Sequence, residues 1–306
     1  MRIEKGYITT EIEHWNDIFR LNQQFMSNFV FRGQGNADWG LKTSLVRMVE
    51  RHHPNYVDKI LPAIYEQRMM DEFKWKYPIY EKSHIPGSEE SIEWLSLMQH
   101  YGSPTRMLDF SYSMYVAMFM AIDGSFFEKS AIWALNKHEL SGKVFDKYRV
   151  DYNTNVASES DLENYTYKKA TSAINRRFVI NKDKDESFLF LTRPHLSNER
   201  INRQQGLFVI PSSIEVGFED ILKGYYDASF CEKMKFDDVV RLSIDHNHGQ
   251  HTLSVLKIEI PKQLKYSISN LLRQMNITCE TMYPGLDGLA RSMSCIRNAM
   301  GDYYVD

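Results

Sequence analysis

The sequence predicts an α+β protein with a mixed, mainly antiparallel sheet and flanking helices. Runs with strand-like alternation and runs with helical spacing of apolar residues follow one another along the chain. They lack the regular strand–helix–strand order that produces a parallel sheet. The chain has 306 residues, of which 43% are hydrophobic and 25% charged, so it can bury a substantial core. Length alone allows one large domain or two.

Turn residues and helix caps place the elements of the first half of the chain. Pro62 suits the first turn of a helix, where the missing N–H is not needed. Ser88 is the predicted N-cap of a later helix, and Gly102 suits the left-handed backbone after that helix ends. Ser111 or Ser113 can cap the helix that follows. The predicted elements are strand 7–15, helix 16–26, strand 28–31, helix 57–76, helix 88–100, helix 114–122 and strand 131–135.

The second half begins with a change of character. Residues 140–187 are polar and charged, and they are interpreted as either a surface insertion or a substrate-facing region. The remaining predicted elements are strands 188–192, 207–210 and 253–260, then helix 264–275. Pro261 ends the last of these strands, because proline cannot donate to a sheet ladder.

Composition excludes several classes of function. A net charge of −3 argues against bulk electrostatic capture of nucleic acid or anionic lipid. The N-terminal residues are charged, and no apolar window reaches the roughly 18 residues that span a bilayer. The 3 cysteines and 10 histidines show no metal-ligand spacing, so no metal is expected. We expect a cytoplasmic protein with reduced cysteines that binds no membrane.

The stretch "FVFRGQGNADWGLKTSLVR", residues 29–47, contains the first candidate binding residue. Arg32 leaves the end of an apolar strand, and a guanidinium can bind phosphate through two parallel hydrogen bonds. Gly33 and Gly35 let a ligand approach the backbone closely. The alternative is a structural arginine that donates to carbonyls in a turn, and Arg32 alone does not separate the two.

A second polar segment lies between two apolar helices at residues 97–121. Arg106 and Asp109 favour a simple mutual ion pair, because buried charges need partners. His100 is a secondary candidate, since a helix C-terminus stabilises a histidine cation.

Two later segments carry further polar residues, at 198–211 and 280–290. Gln204 and Gln205 point to opposite faces if that stretch is extended, so at most one faces a cleft. Glu280 is the carboxylate expected in a buried setting. The common phosphate loops, zinc-protease motifs and serine-hydrolase elbows are absent from the sequence.

Together these segments resemble the FRG-domain family. Phe31-Arg32-Gly33 matches the triplet that names the family, and "QHYGSPTRMLD" at 99–109 matches its second block. A helix with Ala117 and Ala121, "RQQGLF" at 203–208 and "YPGLDGLA" at 283–290 follow in the family's order, with Tyr283 in place of the usual phenylalanine. The resemblance implies a single FRG domain over 1–306, with a core at about 28–292 and a polar insertion at about 140–187. Members of this family are often prokaryotic or phage-associated.

A weaker resemblance is to ADP-ribosyltransferases of the arginine-serine-glutamate type. Their aromatic-Arg-Gly strand and Ser-Thr-Ser strand are similar to residues 31–33 and 109–113. Where those enzymes carry a glutamate, this chain has Gln204-Gln205-Gly206, and a neutral amide cannot stabilise developing positive charge as a carboxylate does. The resemblance implies that Arg32 binds NAD, that Ser111 or Ser113 positions the nicotinamide ribose, and that Tyr101 stacks on the ring.

Two functional hypotheses follow from these resemblances. One is an ADP-ribosyltransferase-like enzyme that binds or cleaves NAD in a toxin or phage-defence setting. The other is a non-catalytic module that senses a nucleotide or nucleic acid, and a third interpretation makes the motifs determinants of the core only. A nucleic acid or a protein is open as the target, and no oligomeric state is predicted. The candidate catalytic residues are Gln204, Gln205 and Glu280, and the candidate NAD-binding residues are Arg32, Gly33, Gln99, His100, Tyr101, Arg106, Ser111, Ser113 and Arg203.

Overall fold

A computed structural model describes residues 5–25, 28–82, 85–123, 128–148, 159–175, 187–196, 198–226, 231–247 and 252–300. Its strands are β1 Lys5–Glu11, β2 Phe29–Gln34, β3 Leu108–Ser111, β4 Ser130–Asn136, β5 Leu189–Thr192, β6 Gly206–Pro211, β7 Cys231–Lys233 and β8 Thr252–Ile260. Its helices are α1 Asp17–Phe25, α2 Ser44–His52, α3 Leu61–Tyr80, α4 Ser91–His100, α5 Met114–Ile122, α6 Lys137–Tyr148, α7 Glu159–Asn175, α8 Glu199–Arg203, α9 Phe218–Leu222, α10 Phe236–Asn247, α11 Lys265–Gln274, α12 Cys279–Met282 and α13 Leu286–Met300.

The described strands form one eight-stranded sheet in the order β5-β6-β3-β2-β4-β8-β1-β7. Strand β1 runs parallel to both of its neighbours, β7 and β8. The other pairs of neighbouring strands are antiparallel. The predicted fold class, α+β with a mixed and mainly antiparallel sheet, is therefore confirmed.

Helices cover both faces of the sheet. Because side chains alternate along a strand, Val30 and Leu135 face one hydrophobic cluster, while Phe31 and Ala134 face the other. The first cluster includes buried residues of α3, α4, α6, α7 and α9, and we call its side the first face. The second includes buried residues of α1, α5, α10, α11 and α12, and we call its side the second face.

Several local predictions are confirmed. Pro62 lies in the first turn of α3, and Gly102 has a φ of 86° after α4. Ser113 caps α5 by accepting a hydrogen bond from the Val116 N–H. The prediction for the start of α4 is wrong, since the helix begins at Ser91 and its N-cap is Glu90, not Ser88.

The polar segment 140–187 takes part in the core. Helix α7 buries Tyr167, Ala170 and Ile174 against the first face, and α6 buries Leu140 and Val144 there. Residues 149–158 and 176–186 of this segment lie outside the described part of the chain. Within the described part, no helix is both long and apolar enough to cross a membrane.

Candidate functional site

Strands β2 and β3 meet at a single residue pair, Phe31 and Ser111. Next to this bridge, the side chain of Arg32 takes the place of a sheet partner for β3. Its Nη1 donates a 2.7 Å hydrogen bond to the backbone carbonyl of Asp109 and lies 4.0 Å from the Asp109 Oδ2. The guanidinium is therefore held between the two strands.

The guanidinium of Arg32 is enclosed but not saturated. Its side chain is 16% exposed, and Nε has no hydrogen-bond partner among the described residues. Burial lowers the pKa of Arg32, Asp109 opposes that shift, and the nearby Arg47 adds to it. An enclosed donor without an acceptor costs about 1–3 kcal/mol, which a hydrogen-bond acceptor at Nε would offset.

Asp109 is fixed from its other side by Gln99. The Gln99 Nε2 donates a 2.6 Å hydrogen bond to the Asp109 Oδ1, and the hydroxyl of Thr105 donates to the Gln99 Oε1. The Asp109 side chain remains 48% exposed. We call Arg32, Asp109 and Gln99 the Arg32 cluster; it joins a strand, a second strand and the end of α4.

His100 and Tyr101 follow Gln99 at the end of α4. The His100 Nδ1 is enclosed without a hydrogen-bond partner among the described residues. Burial lowers the pKa of His100, and the positive charge of Arg200 lowers it further. Tyr101 is 64% exposed and contacts the His100 ring with its own ring nearly perpendicular to it.

The lowered pKa of His100 predicts a pH dependence of stability. Its pKa in the folded protein lies below the ordinary value of 6.5, so the unfolded chain binds a proton that the folded chain does not. This contribution lowers the free energy of unfolding as the pH falls through 6.5 towards the folded pKa. We expect His100→Gln to remove that part of the dependence in urea titrations at pH 7, 6 and 5. A variant whose stability falls as steeply as that of the unsubstituted protein would contradict the assignment.

Arg106 has a structural partner and does not pair with Asp109. Its Nε donates to both carboxylate oxygens of Glu66 at 2.9 and 2.8 Å, and its Nη2 donates to the Glu66 Oε2. Both residues are buried, with Glu66 on α3. The predicted Arg106–Asp109 pair is wrong, because the helix supplies a closer and fully enclosed acid. Arg106 is thus occupied, which leaves it poorly suited to bind NAD.

Ser111 and Ser113, which the resemblance assigns to the nicotinamide ribose, form hydrogen bonds within the fold. Ser111 is fully buried, and its hydroxyl donates to the backbone carbonyl of Gln204 at 2.7 Å while accepting from the Ser113 N–H at 2.9 Å. Ser113 accepts from the first turn of α5. In this arrangement both hydroxyls serve the β3–α5 connection.

The two glutamines do not lie on an extended strand. Gln204 ends α8, is buried, and donates from its Nε2 to the backbone carbonyl of Met282 at 3.0 Å. Gln205 has a φ of 45° and is exposed. Gln205 lines a cavity of about 560 Å3, but Arg32 is not among the described residues that line it. Arg203 is exposed and bonds Glu199 and the Thr281 carbonyl.

Glu280 and Gly33 differ most from their predicted roles. Glu280 is exposed, not buried, and lines a separate cavity of about 320 Å3. Strand β2 continues through Gly33, and a Cβ there would meet the Ala117 carbonyl oxygen at 2.0 Å and the Ala121 nitrogen at 2.4 Å. The missing side chain admits helix α5, so the space beside Gly33 is not open to a ligand.

Several charged residues around Tyr283 carry no signal of their own in the sequence. The guanidinium carbons of Arg200 and Arg291 lie 5.0 Å and 4.4 Å from the ring centre of Tyr283, and the Tyr283 hydroxyl donates to Asp123. Burial raises the pKa of the Tyr283 phenol. Tyrosine at position 283, in place of the phenylalanine usual in the family, is the sequence signal for this group, because the tyrosine hydroxyl donates to Asp123.

The segments that resemble the FRG-domain family in sequence contact one another in the fold. Arg32 contacts the block at 99–109, Ser111 contacts Gln204, and Gln204 contacts the residue before Tyr283. The family model of the FRG domain matches residues 27–129. These residues, about a third of the chain, form an FRG domain. No curated protein and no solved structure matches the chain.

The matched part of the FRG domain contains the whole Arg32 cluster. The predicted resemblance to the FRG-domain family is confirmed over residues 27–129. Residues 203–208 and 283–290 lie beyond the matched part, so the extension of the domain to about 292 stays a prediction. Among the described residues, no group of three histidine, cysteine, aspartate or glutamate side chains is placed to hold a metal ion.

Proposed function

We propose that this FRG-domain protein binds a nucleotide through Arg32, with NAD as the first ligand to test. The observation that carries the proposal is the enclosed guanidinium of Arg32, whose Nε lacks a partner among the described residues while Nη1 is anchored on the Asp109 carbonyl. An anchored cation needs little reorganisation to receive an anion. Phosphate oxygens are the acceptors that best match a guanidinium.

The local electrostatics support an anionic ligand. Arg47 is near enough to lower the pKa of Arg32, so two like charges approach each other in the folded chain. Such repulsion is unfavourable, and an anion bound to Arg32 offsets it. Asp109 supplies part of that negative charge, but its carboxylate is already bonded by Gln99. A pyrophosphate would supply the rest.

NAD cleavage is a second candidate, which one observation favours. An ADP-ribosyltransferase-like reaction needs a carboxylate to stabilise the positive charge that develops on the ribose. Glu280 lines a different cavity and Gln204 is committed to Met282. Asp109 is half-exposed and contacts Arg32, so we propose that its carboxylate stabilises the ribose while the bond to nicotinamide breaks. Nicotinamide then leaves with the electron pair of that bond, and water bonds to the same ribose carbon and loses a proton to solvent. A toxin or phage-defence role would accompany this second function.

The test of nucleotide binding compares three proteins. We expect NAD, ADP-ribose or ATP to bind the unsubstituted protein in calorimetric titrations and to raise its melting temperature. Arg32→Ala is expected to weaken that binding about tenfold or more, because a hydrogen bond to a charged group contributes about 1.5–3 kcal/mol. Arg20→Ala is the matched control, since Arg20 forms an exposed pair with Asp237.

Two results would overturn this proposal. One is a folded Arg32→Ala protein that binds these nucleotides as tightly as the unsubstituted protein. The other is no binding of any of them by the unsubstituted protein. The second candidate is tested by measuring the release of nicotinamide from NAD in the same samples. We expect Asp109→Asn to abolish this release while NAD still binds. Absence of release by the unsubstituted protein would leave the binding function alone.

A further inference from the structure

The cavity beside Gln205 is not lined by any residue of the Arg32 cluster. It has a volume of about 560 Å3, within the range of roughly 300–1,000 Å3 that small-molecule sites occupy. Its walls come from Tyr112 after β3, from α7, from the end of β5 and the turn after it, and from α8 and the turn that leads to β6. Helix α7 belongs to the polar segment whose role the sequence left open, so that segment faces a cavity.

Amide side chains are the first feature of this cavity. Asn164, Asn202 and Gln205 line it, and each is exposed. An amide offers a donor and an acceptor side by side, which matches the edge of a nucleobase. Paired hydrogen bonds from asparagine or glutamine to adenine are a common specific contact with bases.

Planar groups are the second feature. The Arg193 guanidinium lies 5.6 Å from the centre of the Tyr112 ring, and the exposed His195 ring lies 3.9 Å from that of Tyr167. Arginine and histidine planes of this kind stack on bases. Glu163 pairs with Arg193 at 2.7 Å, so the cavity carries a balanced charge pair. Because the two charges of this pair cancel, the lining suits an uncharged ring better than a phosphate.

From these features we infer that the 560 Å3 cavity binds a nucleobase, with adenine favoured by the three amides. The site is additional to the proposed anion site, because Arg32 is not among the described residues that line it. An uncharged nucleoside is therefore a probe for this cavity alone. Its binding requires no phosphate and no contribution from Arg32.

The test titrates the full chain with adenosine, guanosine, cytidine and uridine. We expect adenosine to bind, and Asn202→Ala or Asn164→Ala to weaken it about tenfold, since each removes a hydrogen-bonding partner of the base. Gln263→Ala is the matched control, because Gln263 is exposed and is not among the lining residues. Arg32→Ala is expected to bind adenosine as the unsubstituted protein does.

Three outcomes overturn the inference. If no nucleoside binds, the cavity is not a base site, whatever NAD does at Arg32. If adenosine binds but neither asparagine variant changes its affinity, the base lies elsewhere. If Arg32→Ala abolishes adenosine binding, the base belongs to the Arg32 cluster and not to this cavity. Weaker NAD binding by Arg32→Ala, with adenosine binding unchanged, supports two separate sites.

Discussion

Replacing Gly33 with alanine is expected to lower the free energy of unfolding by about 3 kcal/mol or more. The new methyl group would lie 2.0 Å from the Ala117 carbonyl oxygen and 2.4 Å from the Ala121 nitrogen. Both are backbone atoms of α5, so no side-chain rotation relieves the clash, and overpacking typically costs about 1–3 kcal/mol even where neighbours can adjust. Urea denaturation followed by circular dichroism measures the loss.

The same substitution at Gly142 is the control for Gly33→Ala. Gly142 lies in α6, and outside that helix no atom of the described residues lies within 4 Å of the position that a Cβ would take. Gly142→Ala is expected to stabilise the protein by about 0.5–1 kcal/mol, because alanine favours a helix over glycine. A Gly33→Ala protein as stable as the unsubstituted one, with altered ligand binding only, would restore the interpretation of Gly33 as a ligand contact.

The second large effect is expected at the buried pair of Arg106 and Glu66. Arg106→Ala removes the partner of a carboxylate that is 3% exposed, and breaking such a pair typically costs about 3–5 kcal/mol. The free energy of unfolding of an ordinary domain is about 5–15 kcal/mol, so the variant loses a large part of its stability. Glu66→Ala is expected to have a similar effect in urea denaturation.

Two further variants separate the buried pair from a simple loss of charge. The double variant Glu66→Leu with Arg106→Met is expected to recover most of the stability, because apolar side chains replace both buried charges together. Lys42→Ala, which breaks an exposed pair with Glu50, is expected to cost at most about 1 kcal/mol. An Arg106→Ala protein that is fully stable but loses its ligand would instead place Arg106 in the binding site.

The sequence predicted elements whose own residues carry a clear period. Helix α5 and strands β4, β5, β6 and β8 lie within a residue or two of their predicted bounds, since their apolar runs are continuous or alternate. Helix α7 was missed because its sequence is polar overall. Its buried residues Tyr167, Ala170 and Ile174 nevertheless recur at helical spacing, which a closer count could have found.

The candidate site was predicted only in part, for a physical reason. Arg32 was identified because its type and place beside glycines are local properties. Its partner is a backbone carbonyl of Asp109, which carries no signal in the sequence. Arg106 was assigned to the acid nearest along the chain, whereas its true partner, Glu66, comes 40 positions earlier. The sequence shows only that Gly33 lacks a side chain, which suggests room for a ligand. The packing of α5 against β2 is what excludes a side chain there, and this contact is not visible in the sequence.

The place of β1 in the sheet has a consequence for the order of folding. This strand, close to the start of the chain, lies between β7 and β8, which come more than 200 residues later. During synthesis it leaves the ribosome long before either neighbour exists. Strand β1 therefore remains unpaired until β7 and β8 have been made, and pairings between such distant segments form slowly. An unpaired strand of this kind invites association with other chains, so the nascent protein is most vulnerable until Ile260 has emerged.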